Sequence, residues 1–165
     1  MSQAFVIELL GPRHDKAGFS SGVEALDRYL RTQATQDIRR RVTACHVAVD
    51  APGGKIAGYY TLAAGAVLLR DLPESLAKRL PRYPTVPVAR LGRLAVDTAY
   101  RGRKLGGALL WDAGMRALRS EIAAFALVVD AKDEQSEAFY RHHGFIPFGG
   151  PDRQLVLPLA TFAKM

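Results

Sequence analysis

The sequence predicts an α/β protein built around one core, and three observations predict it. The 165 residues, 48% of them hydrophobic, are enough for one sizeable core and too few for two ordinary domains, so residues 1–165 are read as a single domain. Runs of strand formers alternate with runs whose apolar residues recur at helical spacing, in the order β-α-β-β-(α)-β-α-β-α-β-β. No internal repeat, low-complexity tract or linker interrupts that order.

Residues 3–10 (QAFVIELL) read as the first strand, followed by a loop through Gly11, Pro12 and Gly18. Ser20 or Ser21 is expected to cap the next helix, with Glu24 as capping-box partner to Ser21. Val23, Leu26, Leu30, Ala34 and Ile38 give that helix one apolar face, and Arg39–Arg41 close it with charge that complements the macrodipole. Residues 43–50 and 55–65 form a hairpin across Ala51-Pro52-Gly53-Gly54. Residues 72–84 (LPESLAKRLPRYP) hold a short helix between prolines, and residues 86–97 (VPVARLGRLAVD) form a long strand. In residues 102–120, Leu105, Leu109, Ala113 and Ala117 share a helix face. Residues 125–131 (FALVVDA) form a short buried strand, residues 136–144 a short helix ended by Gly144, and residues 145–159 one or two final strands.

Composition narrows the function. Twenty-three Lys and Arg against sixteen Asp and Glu leave a formal charge of +7, mostly from arginine, whose guanidinium fork matches phosphate oxygens. The natural partner for that charge is a polyanion, either RNA or a phosphorylated cofactor such as CoA, while a basic surface that serves only solubility stays open. No stretch approaches the ~20 apolar residues of a membrane span, and the N-terminal residues lack the pattern of a secretory signal, so the protein is expected to be cytoplasmic with no membrane partner. Cys45, the only cysteine, excludes an internal disulfide and suits a reducing compartment.

The segment richest in chemistry is the strand of residues 90–97 (RLGRLAVD) running into Thr98-Ala99-Tyr100-Arg101-Gly102-Arg103-Lys104-Leu105-Gly106-Gly107. Glycines at a helix start let backbone N–H groups approach an anion, and the helix dipole adds positive potential there. A Walker loop is excluded because Ala108 follows Gly106-Gly107, and G-x-G-x-x-G is absent. On spacing alone, an ordinary Gly-rich turn remains open.

Residues Arg101 to Gly106 resemble the pyrophosphate loop of the GNAT acetyltransferases, Q/R-x-x-G-x-G/A, with Lys104 standing where the family has its first glycine. Residues 127–145 (LVVDAKDEQSEAFYRHHGF) are similar to the family's later strand and helix, N-x-x-A-x-x-F-Y-x-x-x-G-F. Phe139, Tyr140, Gly144 and Phe145 match, while Asp133 and Ser136 replace Asn and Ala. The resemblance covers residues 88–148 and implies a central splayed mixed β-sheet flanked by helices, in an acetyl-CoA-dependent N-acetyltransferase. It assigns acetyl-CoA to Leu94, Ala95 and Val96 through their backbone, to the loop Arg101, Gly102, Arg103, Lys104, Leu105, Gly106 and Gly107, and to Ser136 and Phe139. It makes Tyr140 the catalytic acid that protonates the departing thiolate; a phenol with a pKa near ~10 still holds its proton at neutral pH.

Other candidates are weaker. Cys45 and His46 are adjacent in a strand and face opposite ways, so they make no dyad. His142-His143 lacks partners at ligand spacing, and no metal is expected. Asp97 and Asp130 are carboxylates in reach of a base role, but nothing singles one out.

The N-terminal half extends the resemblance. Residues 19–41, 58–62, 80–97 and 126–131 look like a branch of bacterial toxin acetyltransferases that modify the amino group of aminoacyl-tRNA and are held inactive by a small ribbon-helix-helix antitoxin. Ser21 stands where that branch often has Cys. A homodimer is implied as well. An α-amine has a pKa of ~7.7–8.0, so such an acceptor makes a protein base dispensable. Arg90 and Arg93 are the expected tRNA contacts, joined by Arg28, Arg31, Arg39–Arg41, Arg79 and Arg82. The alternatives are an acetyltransferase for a small amine or protein N-terminus and a non-catalytic CoA-binding regulatory module, the latter kept open by Lys104.

Overall fold

A computed structural model describes residues 5–51, 54–149 and 153–164. The expected strand start at Gln3 and Ala4 and the turn residues Pro52 and Gly53 lie outside the described residues. The strands are β1 (Phe5–Leu9), β2 (Ala44–Asp50), β3 (Ile56–Leu68), β4 (Thr85–Val96), β5 (Ala126–Asp130), β6 (Ile146–Phe148) and β7 (Gln154–Pro158). The helices are α1 (Glu24–Thr32), α2 (Ala34–Arg39), α3 (Glu74–Ala77), α4 (Leu105–Arg119), α5 (Glu134–His142) and α6 (Leu159–Ala163). The strands form one sheet in the order β1-β2-β3-β4-β5-β7-β6. β4 and β5 run parallel while β1–β2, β2–β3, β5–β7 and β6–β7 are antiparallel, so the sheet is mixed.

The long first helix expected from sequence is two. Gln33 (φ −121°, ψ −33°) breaks the helical path, although its N–H still bonds Tyr29 O. Neither Ser20 nor Ser21 caps α1 through a capping box: Val23 is its N-cap residue and no side chain caps it. The reason is Asp27, buried on the helix, which takes both the N–H and the hydroxyl of Ser21 (2.9 and 2.6 Å). Glu24, freed from the cap, pairs with Arg31 at 3.2 Å. β3 continues to Leu68, past the expected end at residue 65. The short α6 was not expected from sequence; its Phe162 ring lies where a side chain on Gly114 would sit, 2.2 Å from an added Cβ.

The chain forms two compact units, one of the residues up to Ala63 with Gly92–Ala113, the other of Ala64–Leu91 with the residues from Gly114 onward. The first is built on Phe19, Leu30, Cys45, Val47, Ile56, Tyr59 and Ala95, each worth up to ~1.5–3 kcal/mol of burial for the larger side chains. Tyr59 spends its hydroxyl on Leu26 O at 2.7 Å, which satisfies the polar tip of a fully buried ring. Gly58 lies where an added Cβ would come within 2.9 Å of both Ala95 O and the Leu109 side chain, so only glycine fits there. The second unit is built on Val67, Leu72, Leu76, Val86, Val88, Ala126, Val128, Phe148 and Val156. In it the β4–β5 ladder runs from Val88↔Ala126 to Leu91↔Val129 and includes none of Gly92–Val96. Among the described residues, no helix is long and apolar enough to cross a membrane.

Candidate active site

The end of β4 is tied to the loop before α1 by a set of short bonds. Asp97, 2% exposed, accepts from Ser20 N–H and Ala99 N–H, both at 2.9 Å, and its own N–H donates to Ala57 O at 2.8 Å. Thr98 N–H donates to Ser20 O at 2.9 Å, and Arg101 Nη2 donates to Ser21 O at 2.6 Å. Gly22 makes room for that guanidinium: its φ is +86°, and an added Cβ would lie 3.1 Å from Arg101 Nη2. Each oxygen of the buried Asp97 carboxylate thus takes one backbone amide, and Lys55 Nζ lies 3.9 Å from Oδ1, so the group is built into the clasp.

The loop that follows is set by backbone conformation. Gly102 and Lys104 are both left-handed, with φ of +79° and +61°. Lys104 therefore takes up the conformation for which a glycine is ordinarily needed, at a cost of ~1–2 kcal/mol. Arg101, Gly102, Arg103 and Lys104 are exposed, whereas Leu105 is buried and anchors the start of α4. The first intrahelical bond across this junction is Ala108 N–H to Lys104 O at 3.2 Å, so the amides of Leu105, Gly106 and Gly107 precede it. With no acidic residue in that first turn, the helix dipole is left to attract an anion. Leu94, Ala95 and Val96 lead into this loop, Ala95 buried and its neighbours half-buried. Tyr100 braces it: its hydroxyl donates to Asp50 Oδ2 at 2.6 Å, while Arg103 and Lys55 lie 5.2 and 5.8 Å from its ring centre. The residues present suit a pyrophosphate.

In the second unit, α5 positions Tyr140. Asp133 caps the helix by accepting Ser136 N–H at 2.8 Å, and that bond holds its carboxyl below the usual range. Gly144 (φ +97°) ends the helix in the left-handed turn typical of a C-terminal glycine. Tyr140 is buried, with the rings of Phe139 and Phe145 edge-on at 5.2 and 5.4 Å. Burial pushes its phenol up to about 12, so it holds its proton throughout the neutral range. Phe139 also meets His143, at 4.7 Å.

The two arginines expected to touch RNA are already engaged. Arg90 pairs with Asp130 at 3.3 Å, and Arg93 lies 3.5 Å over the ring of Tyr29, whose hydroxyl donates to Asp37 Oδ2 at 2.8 Å. Cys45 is sealed, its thiol pushed up to about 12 by burial, and His46 stacks on Tyr60 at 5.1 Å. His142 and His143 pack edge to face, and the described residues hold no group of three metal-ligating side chains. Sequence reasoning gave no site role to Asp27, to Ser20, which it named only as a helix cap, or to Tyr100, which it named only as part of the loop segment. Asp27 had a signal, an acid on the apolar side of α1 between Leu26 and Leu30; Tyr100 had none.

The GNAT acetyltransferase family model matches residues 13–145. The chain belongs to the GNAT acetyltransferases. As a GNAT N-acetyltransferase it is 38% identical, over 133 residues, to a tRNA-acetylating toxin of Mycobacterium tuberculosis, covering 79% of this chain and 78% of the relative. Among solved GNAT structures it is similar to the AtaT toxin complexed with acetyl-methionyl-tRNAfMet, with a TM-score of 0.84, 28% identity and 98% of each chain covered. It is also similar to a tyrosine-to-phenylalanine mutant of AtaT bound to the C-terminus of the antitoxin AtaR and acetyl-CoA. There the TM-score is 0.81 and the identity 25%, over 97% of this chain and 96% of the other.

Proposed function

We propose that this protein is a toxin that transfers the acetyl group of acetyl-CoA to the α-amine of an aminoacyl-tRNA, so that the charged tRNA can no longer accept a peptide. The observation that carries the cofactor half of this reading is the loop Arg101–Gly107, held in left-handed turns at the open N-terminus of α4. The acceptor half rests on the likeness to a tRNA-acetylating toxin and to AtaT with its acetylated tRNA.

Acetyl-CoA supplies an acyl group activated as a thioester. The amides at the start of α4 and the cations Arg103 and Lys104 would bind its pyrophosphate, while the backbone of Leu94–Val96, which the β4–β5 ladder does not take up, would meet pantetheine. Ser136 and Phe139 line the cofactor. As the amine's nitrogen forms its bond to the acetyl carbon, the C–S bond breaks and Tyr140 gives its hydroxyl proton to the departing sulfur; the acylated nitrogen sheds its extra proton to solvent, and solvent returns one to the Tyr140 phenolate. An α-amine with a pKa of ~7.7–8.0 is in part unprotonated near neutral pH, and that fraction enters without a protein base. Arg90 and Arg93 meet the tRNA by exchanging their present partners for phosphates.

β3, β4 and α4 each pass from one compact unit into the other, which supports a single folding domain over two. The likeness to AtaT bound to the C-terminus of its antitoxin AtaR supports an antitoxin as partner; the reading makes that partner a small ribbon-helix-helix protein and the working state a cytoplasmic homodimer. The test mixes the protein with labelled acetyl-CoA and charged tRNA, alongside free amino acids and peptides. Label is expected on the tRNA-borne amine; label on free amines or peptides alone would remove tRNA as acceptor.

A further inference from the structure

The second unit carries a groove of about 570 Å³ at the end of β3, bordered by the turn at residues 69–71, α3 and residues 82–84. Its apolar floor is Leu68 and Leu72. The backbone around it is fixed, since Leu69 N–H bonds Pro84 O at 3.0 Å and Leu72 is buried in the core below. On its rim Tyr83 is 69% exposed, held in a short stretch between Pro81 and Pro84. Arg70 and Arg82 also line it, and among the described residues neither has an ion-pair partner. Arg79, nearby in sequence, is occupied over the Phe125 ring at 5.8 Å.

We propose that this groove holds the unpaired 3′ end of the acceptor tRNA, with a base stacked on Tyr83 and the adjoining phosphates on Arg70 and Arg82. The inference rests on the aminoacyl-tRNA reading above. A flat exposed aromatic beside an apolar floor is what an unstacked base needs, because every base offers a π-face to such a ring. Unpaired guanidiniums supply the matching charge for phosphate oxygens. Glu74, also lining the groove, contributes an acceptor, and the C-C-A end common to tRNAs consists of bases that each bear an exocyclic amino group. The volume falls within the ~300–1,000 Å³ of ordinary ligand sites. An apolar peptide would use the floor but would leave both arginines without a partner, so the charge favours RNA over protein.

The experiment measures binding of the full chain to intact tRNA and to tRNA trimmed of its unpaired 3′ nucleotides, at several salt concentrations. Tyr83→Ala is expected to weaken intact tRNA by about fivefold to a hundredfold, leaving trimmed tRNA unchanged. Arg70→Ala with Arg82→Ala is expected to lower the slope of log K against log salt by about 1.4 for intact tRNA. Because these side chains are exposed, melting temperature and the KM for acetyl-CoA serve as fold controls and are expected to hold. Equal loss on trimmed tRNA, or no loss on either, overturns the proposal. So does a Tyr83→Ala effect that appears only in antitoxin binding or in the oligomeric state. Acetylation of charged tRNA by the unaltered protein, run in parallel, separates the two readings: its absence would overturn the acceptor assignment, while the groove is judged by the binding data.

Discussion

The Arg101–Gly107 loop and the Tyr140 helix are built on opposite principles. The loop is exposed and works through backbone: left-handed turns at Gly102 and Lys104, an open helix start, and an external clasp from Asp97 and Arg101. Tyr140 is buried and works through one side chain, fixed by two aromatic neighbours and a capped helix. A function written in backbone tolerates a change of side chain, which is why lysine can stand in a glycine's place. A function written in one hydroxyl does not.

Substitutions separate the two principles. Tyr140→Phe keeps the ring and its packing but removes the proton, so turnover should fall by ~10²–10⁴ while acetyl-CoA affinity stays, as steady-state kinetics and calorimetry would read. Unchanged turnover would break the contrast. Asp97→Ala strips the partners from the Ser20 and Ala99 amides, costing about 1–3 kcal/mol in a denaturant titration, and should raise KM for acetyl-CoA more than it lowers kcat. Lys104→Gly relieves a strained left-handed residue but adds chain entropy, so stability should shift by ~1 kcal/mol or less. Its KM for acetyl-CoA isolates what the ammonium gives beyond backbone shape; no change would make the loop purely a backbone device. The pH profile tests the other side. The folded phenol is raised from an ordinary 10.0 to about 12, so the acid form persists and kcat/KM should not fall below pH 10. By linkage, the stability tied to that shift is complete below pH 10 and is lost as pH rises towards 12.

Elements whose signal is periodic were legible in sequence. β4, α4, β5 and α5 carry their own patterning, and the two motifs on them give the GNAT family. The α1–α2 break was not legible, because Gln33 is an unremarkable helix residue and the apolar face runs on through Ala34 and Ile38. The capping-box expectation failed because Ser21 had a second suitor, Asp27, that only folding brings to it. In the site, the loop was readable as glycines beside a strand. The clasp was not, since Ser20 and Asp97 are 77 residues apart and their bond is main-chain to side-chain. Arg90 and Arg93 were readable as positive charge, but their partners Asp130 and Tyr29 were not.

The burial of Cys45 gives the protein a built-in reporter. The single thiol lies in the first unit's core at 0% exposure, so a thiol-reactive dye should mark the chain only when that unit opens. The rate of labelling then counts openings directly, and acetyl-CoA bound at the neighbouring loop should slow it. Any surface position replaced by cysteine would meanwhile react alone, which permits site-specific dyes to be attached without first removing the native thiol.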